Sequence, residues 1–243
     1  MKELLPRSLF GKTPELFRMN DKGERTPDAN CCVHSGQALE IICENAVAIA
    51  RALPPTTGRY FYWGEDGQPW CQCQKCRGLS PSEQALVIEN RMWHALRTLD
   101  PKAQVAHLAY SNTLSPPKQV KPAEGIFLEY APISRRYDLA YERQQGPKHR
   151  DGLPALDANL EVFPKGTAQA MEYWLDVSRF SRWRRPAVKL PWNRKVFLAD
   201  LETYRKRGIR HVTTFAAWID AEYQQRFGDL GFLEEYGEGL SVR

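Results

Sequence analysis

The chain has 243 residues, 42% of them hydrophobic and 26% charged, which fits one large or two small globular domains with a substantial core. No apolar run approaches the roughly 20 residues of a membrane helix, and the first residues lack the apolar core and cleavage site of a signal peptide. Neither a membrane span nor a signal peptide is expected in these residues, and a cytoplasmic location is expected unless an export segment lies upstream. The net charge of +5 is spread along the chain.

Residues 1–30 read as an irregular segment, and a candidate strand ends near Cys32 and Val33, followed by His34 and Ser35. Residues 37–53 place Ala38, Ile41, Ile42, Ala46, Ile49 and Leu53 on one helical face, stopped by Pro54 and Pro55. Residues 59–76 read RYFYWGEDGQPWCQCQKC. An aromatic strand over 59–63 runs into Glu65 and Asp66, then a Gly-Gln-Pro turn, then Trp70 and three cysteines.

Ser80 and Glu83 form a capping box with Pro81 at the first helical position, and Ala85, Ile88, Met92, Leu96 and Leu99 supply that helix's buried face. Asp100-Pro101 ends it. Residues 104–110 (QVAHLAY) read as a strand, Pro116, Pro117 and Pro122 mark an extended loop, and residues 126–130 (IFLEY) read as the next strand. The polar stretch 131–164 reads as a loop with one short helix. A helix is expected over 167–180, carrying Met171, Trp174 and Leu175. A strand over 187–191 (AVKLP) follows, then a helix over 195–207 closed by Gly208, and a last strand over 211–215. Nothing in the polar, acidic stretch 229–243 calls for ordered structure.

About six strand–helix units at regular spacing predict an α/β class protein with parallel strands. No Gly-rich phosphate loop is present, so a (β/α) TIM-type barrel over the single domain 1–243 fits better than a nucleotide-binding sheet. In a barrel the loops after the strands converge on one face. That would gather His34, Glu65, Asp66, Trp70, Tyr110, Asn112, Glu129, Tyr130, Arg135, Lys189, Trp192, Trp218 and Asp220.

Carboxylates among aromatic walls suit sugars, whose C–H faces lie on rings and whose hydroxyls need acceptors. A glycosidase needs two acids, or one with substrate assistance, and the candidates are Asp66, Glu65, Glu129 and Asp220. Neighbouring residues on a strand face opposite ways, so one of Glu65 and Asp66 points into the site. The competing readings are structural: Asp66 caps its turn, Glu129 is a satisfied buried acid, and the tryptophans belong to the core. Lys189, inside an apolar strand, needs a partner.

Cys-x-Cys-x-x-Cys supplies three thiolates where a structural zinc wants four ligands. Cys32 is the candidate fourth beside Cys71, Cys73 and Cys76, with His34 in reserve. A zinc staple, a redox or disulfide pair, and packed unligated thiols all fit this spacing, and a zinc-dependent hydrolase of another class is the weaker functional alternative; no cofactor is required by the spacing. The basic run 179–185 (RFSRWRR) can hold nucleic acid by charge and stacking, but a solvated helix end before Pro186 explains it as well. The expected partner is an oligo- or polysaccharide, with neither nucleic acid nor membrane.

The runs PELFRMNDKGERTPDANCCVHS, DGQPWCQCQKCRGL and AHLAYSNTLSPPKQVKP resemble the DUF4838 family, over roughly residues 14–218. The resemblance implies a relation to glycoside hydrolase barrels of the α-glucuronidase and hexosaminidase types, hence a barrel that acts on or binds carbohydrate. By similarity to the hexosaminidase type, an acid after the fourth strand is catalytic, and Glu65 or Asp66 falls there. Those enzymes carry Asp-Glu in that order, whereas this chain reads Glu-Asp, which leaves separate roles unassigned. The resemblance also implies that the first two strand–helix units are missing ahead of Pro14. Either the chain is then a fragment of a longer barrel, or its open edges are covered by the N-terminal 30 residues or by a partner chain, as in a homo-oligomer.

Overall fold

The computed structural model describes residues 1–144 and 152–241. The fold is mixed α/β, and the chain divides into two compact units, Met1–Leu128 with Glu161–Phe163, and Glu129–Leu160 with Pro164–Arg243. Five strands form one all-parallel sheet: β1 (Arg59–Tyr60), β2 (Gln104–Ala109), β3 (Ile126–Tyr130), β4 (Gln169–Glu172) and β5 (His211–Thr214). Neighbours in the sheet are neighbours in the sequence, so each link is a crossover. Among the described residues β1 and β5 are its edges, and the strands number five where six units were expected.

In the first unit, α1 (Gly36–Ala52) is capped by the Ser35 hydroxyl, which accepts from the Ala38 N–H. Helix α2 (Pro81–Leu96) carries the expected capping box and packs against α1. The expected strand ending near Val33 is reduced to an isolated antiparallel bridge between Phe17 and Cys31, outside the parallel sheet. The Cys32 N–H bonds the Leu16 carbonyl, and the backbone then turns at once, with the Ser35 N–H on the Cys32 carbonyl. Strand β1 is shorter than the aromatic run suggested, ending at Tyr60.

The second unit holds a 3-10 turn at Tyr141–Arg143, α3 (Leu153–Leu160), α4 (Val177–Phe180), α5 (Arg194–Lys206), α6 (Ala221–Phe227) and α7 (Gly231–Ser241). Part of the polar stretch 131–164, residues 145–151, lies outside the described residues, as do residues 242–243. Three expectations are overturned here. The helix over 167–180 is instead strand β4 followed by the four-residue α4. All four β4 residues are buried, so the alternation that betrays a strand is missing.

The stretch 187–191 is extended but joins no sheet. The Val188 N–H bonds the Ser181 hydroxyl and the Leu190 N–H bonds the Tyr223 hydroxyl, so side chains replace a ladder. The supposed tail carries α7. Phe232 and Gly239 are buried, and Tyr236 packs on Phe197 of α5, so three apolar contacts order an otherwise acidic helix. No helix among the described residues is long and apolar enough to cross a membrane.

Candidate functional site

The loop after β1 is held from below by two asparagines. Asn30, fully buried, accepts the Glu65 N–H at 2.9 Å through Oδ1 and donates to the Gln68 and Pro69 carbonyls. Asn112 donates to the Gly67 and Gln68 carbonyls at 3.2 and 2.9 Å. Gly67 sits at φ 60°, the left-handed region that glycine adopts at no steric cost. The two acids then part. Glu65 turns in, its Oε1 3.0 Å from Nη2 of Arg7, which also donates to the Ala29 carbonyl. Asp66 is exposed and makes no ion pair among the described residues. Phe61 is also exposed, edge-on to Trp63 and to Phe127.

Behind this loop the sulfurs of Cys32, Cys71, Cys73 and Cys76 all lie within 4.8 Å of one another, and all four residues are buried. Cys32 Sγ is 3.8 Å from both Cys73 Sγ and Cys76 Sγ. A tetrahedron with Zn–S bonds of about 2.3 Å has edges of about 3.8 Å, so the spacing fits a four-thiolate metal centre. The local chain makes this arrangement. The N–H groups of Cys76 and Arg77 both bond the Cys73 carbonyl, closing a tight knuckle. Gln84 of α2 accepts from the Cys71 N–H and donates to the carbonyls of Cys71, Cys76 and Leu79.

The Met19 N–H donates to Cys71 Sγ at 3.3 Å, Arg25 Nη1 lies 3.8 Å from the same sulfur, and His34 Nδ1 lies 3.2 Å from Cys76 Sγ. These contacts supply positive charge and donors around sulfur, as second partners of metal thiolates do. Hydrogen bonds from Cys71 and Cys76 lower Cys32, and the Cys32 thiolate in turn raises Cys71 and Cys76. Burial pushes Cys31, outside the cluster, up to about 12. No disulfide links any of the six cysteines.

The remaining candidates separate by burial. Trp70 is 4% exposed, packed under Gly64, and its indole N–H is buried without a partner among the described residues. His34 is exposed at the cysteine cluster. Tyr110 precedes the 3-10 turn at Ser111–Thr113, and the Asn112 amide is spent on the loop. Glu129 is 1% exposed and accepts from Gln169 Nε2 at 3.0 Å. Tyr130 is fully buried, its hydroxyl donating to the Gly152 carbonyl.

Arg135 lies wholly inside the second unit, paired with Glu172 and Asp200, its guanidinium over the rings of Tyr137 and Tyr141. Tyr137 and Tyr204 donate to Glu172, and Trp174 and the Tyr141 N–H donate to Asp200. Burial pushes Asp200 up to about 6 despite the guanidinium beside it. Lys189 is exposed rather than buried in a strand, so it needs no partner. Trp192 and Trp218 pack on the core cluster around Tyr223 and Phe232, Trp192 donating to Glu235 and Trp218 lying under Arg185. Asp220 caps α6 and pairs with Arg185. Sequence reasoning missed Arg7, Asn30, Glu172 and Asp200, whose roles depend on residues far away in the chain, and Gln84, whose partners are backbone groups that carry no side-chain signal.

The sequence signature described as Domain of unknown function (DUF4838) matches residues 1–155, more than half of the chain and the part that contains the loop and all six cysteines. No curated protein and no solved structure matches the chain.

Proposed function

Since the chain belongs to the DUF4838 family, we propose that it is a carbohydrate-active protein of incomplete (β/α)-barrel type, working at the carboxyl end of β1 with Asp66 as its general acid or base. One observation carries this reading. Of the acids nominated on the loop, Asp66 alone is presented to solvent without an ionic partner, on a loop that also exposes Phe61. A carboxylate beside an aromatic face matches the two chemistries a sugar offers. Loops at the carboxyl ends of parallel strands are where such sheets place ligands.

The cysteine cluster is read as a structural zinc centre formed by Cys32, Cys71, Cys73 and Cys76. Four thiolates close the coordination sphere and leave no position for a water or substrate, so zinc would supply cross-linking and no chemistry. A zinc hydrolase is correspondingly disfavoured. Cysteines kept out of disulfides suit a reducing compartment, which supports a cytoplasmic location.

A panel of aryl glycosides and aryl uronides tests the reading. Turnover by the native chain that falls at least a hundredfold in Asp66→Asn, with unchanged melting temperature, is the expected result. Turnover that Asp66→Asn leaves intact would overturn the assignment. A second reading, a binding protein without turnover, is favoured by the engagement of Glu65 with Arg7, of Glu129 with Gln169 and of Asp220 with Arg185, which leaves one of the four candidate acids without such a partner. Saccharide binding without hydrolysis selects it.

A further inference from the structure

The basic run 179–185 contains four arginines, and the fold uses two of them. Arg179 donates to the carbonyls of Ile133 and Arg135, and Arg185 pairs with Asp220 and Glu222 while covering Trp218. Arg182 and Arg184 are exposed and make no ion pair or side-chain hydrogen bond among the described residues. Between them Trp183 is 64% exposed, the most exposed large aromatic side chain among the described residues.

The backbone presents two of these three side chains, Arg182 and Trp183, under strain. Arg182 and Trp183 both sit at φ 54°, a left-handed conformation that non-glycine residues avoid. Consecutive residues of this kind persist only where surrounding contacts impose them, and they gather at ligand-binding positions. The contacts here are plain. The Trp183 N–H bonds the Ser178 carbonyl at 2.7 Å, the Arg184 N–H bonds the Ser181 carbonyl, and the Ser181 hydroxyl bridges the Val177 carbonyl and the Val188 N–H. Arg226 fastens the far side through the Ala187 carbonyl. These bonds fasten the loop at both ends, and it follows α4 in the segment that joins β4 to α5.

The geometry points to loop 181–186 as a binding site for an anionic polysaccharide, with Trp183 as the platform for a sugar ring and Arg182 and Arg184 as partners for its carboxylate or sulfate groups. A rigid indole flanked by two free guanidinium groups meets an apolar C–H face and anions on either side. Nucleic acid fits less well. A phosphate backbone wants a continuous basic track and several stacking rings, whereas Arg185 is neutralised and Asp220 and Glu222 stand next along the chain's surface. The choice of a saccharide rests on the carbohydrate reading above, but it needs no hydrolytic step and no part of the Asp66 loop.

Affinity electrophoresis of the full chain through gels containing polygalacturonate, dextran sulfate or neutral dextran tests it. Retardation by one or both anionic polymers is expected, with polygalacturonate alone identifying carboxylate and dextran sulfate alone identifying sulfate. Trp183→Ala and, separately, Arg182→Gln with Arg184→Gln should each weaken binding at least tenfold, while Trp183→Phe keeps most of it. The paired variants guard against a folding defect in any one. Equal retardation by neutral dextran, no effect of these variants, or tighter Trp183-dependent binding of a single-stranded oligonucleotide would overturn the proposal. None of these outcomes touches hydrolysis of aryl glycosides, which reports on Asp66 alone.

Discussion

The sulfurs of Cys32 and Cys76 lie 3.8 Å apart although 44 residues separate them in the chain. Cys32 stands just before α1 and Cys76 just before α2, so a metal bridging them ties the starts of two packed helices together. The purified chain should carry one zinc, measured by elemental analysis, and Cys76→Ser should carry none. Loss of the metal should cost several kcal/mol, a fall in melting temperature of about 10 °C for a chain of this size. A metal-free native protein whose melting temperature is unmoved by Cys76→Ser would show that the sulfurs merely pack.

Glu83 does more than close its capping box. Its Oε2 accepts from the Ser80 N–H at 2.7 Å, and its Oε1 accepts from the Lys118 and Gln119 N–H groups at 3.1 and 2.6 Å, tying α2 to the loop that follows β2. Burial alone would raise this carboxyl, but the three N–H donors outweigh it and hold the group down at about 2, against an ordinary 4.5. A depressed folded-state value means that the unfolded chain binds the proton more readily between those limits. The stabilisation is thus complete above about pH 4.5 and disappears as pH falls through 2. It amounts to about 3 kcal/mol. Urea titrations should find Glu83→Gln less stable than the native chain by about this amount at pH 7, with the two curves converging near pH 2. A gap that stays constant with pH would refute the charge argument.

The contrast between Glu83 and β4 explains what the sequence could reveal. Capping signals are local: Ser80, Pro81 and Glu83 fix the start of α2 within four residues, and β2, β3 and β5 were legible because short apolar runs sit between clear turn residues. Strand β4 is buried along its whole length, and Met171, Trp174 and Leu175 happen to fall at helical spacing, so no period distinguished it from a helix. The four metal-binding candidates were legible because three sit within one short motif. The partners that decide the fate of the acids were not, since Arg7 is 58 residues from Glu65 and Gln169 is 40 from Glu129. Trp183 was hidden differently, inside a basic run whose four arginines look alike until the fold separates the paired from the free.

Arg135 should be among the least replaceable residues of the second unit. It is fully buried between Glu172 and Asp200, and removing it leaves two carboxylates and their tyrosine donors without a counter-charge. Breaking a buried ion pair from one side costs about 3–5 kcal/mol, and Arg135→Met should lose that much in denaturant unfolding. Adding Glu172→Gln and Asp200→Asn to Arg135→Met should recover at least about 1 kcal/mol, because the stranded charges are then gone. Strictly additive losses would mean that the three side chains act independently.

Gly125 tests the packing of the first unit at one atom. A Cβ built there would stand 1.8 Å from Trp93 Nε1 and within 2.6 Å of two more atoms of that ring. Neither side can yield cheaply. The Gly125 carbonyl accepts the Val105 N–H that joins it to β2, while the Trp93 N–H donates to the Ala103 carbonyl at 2.9 Å and Arg97 lies over the indole. Gly125→Ala must therefore break a buried hydrogen bond or shift a strand, and it should cost about 3 kcal/mol or more. Gly78→Ala is the matched control, since nothing lies within 4 Å of its Cβ position, and it should stay within about 0.5 kcal/mol of the native chain. Equal melting temperatures for the two variants would mean that Trp93 is free to leave its place against β2.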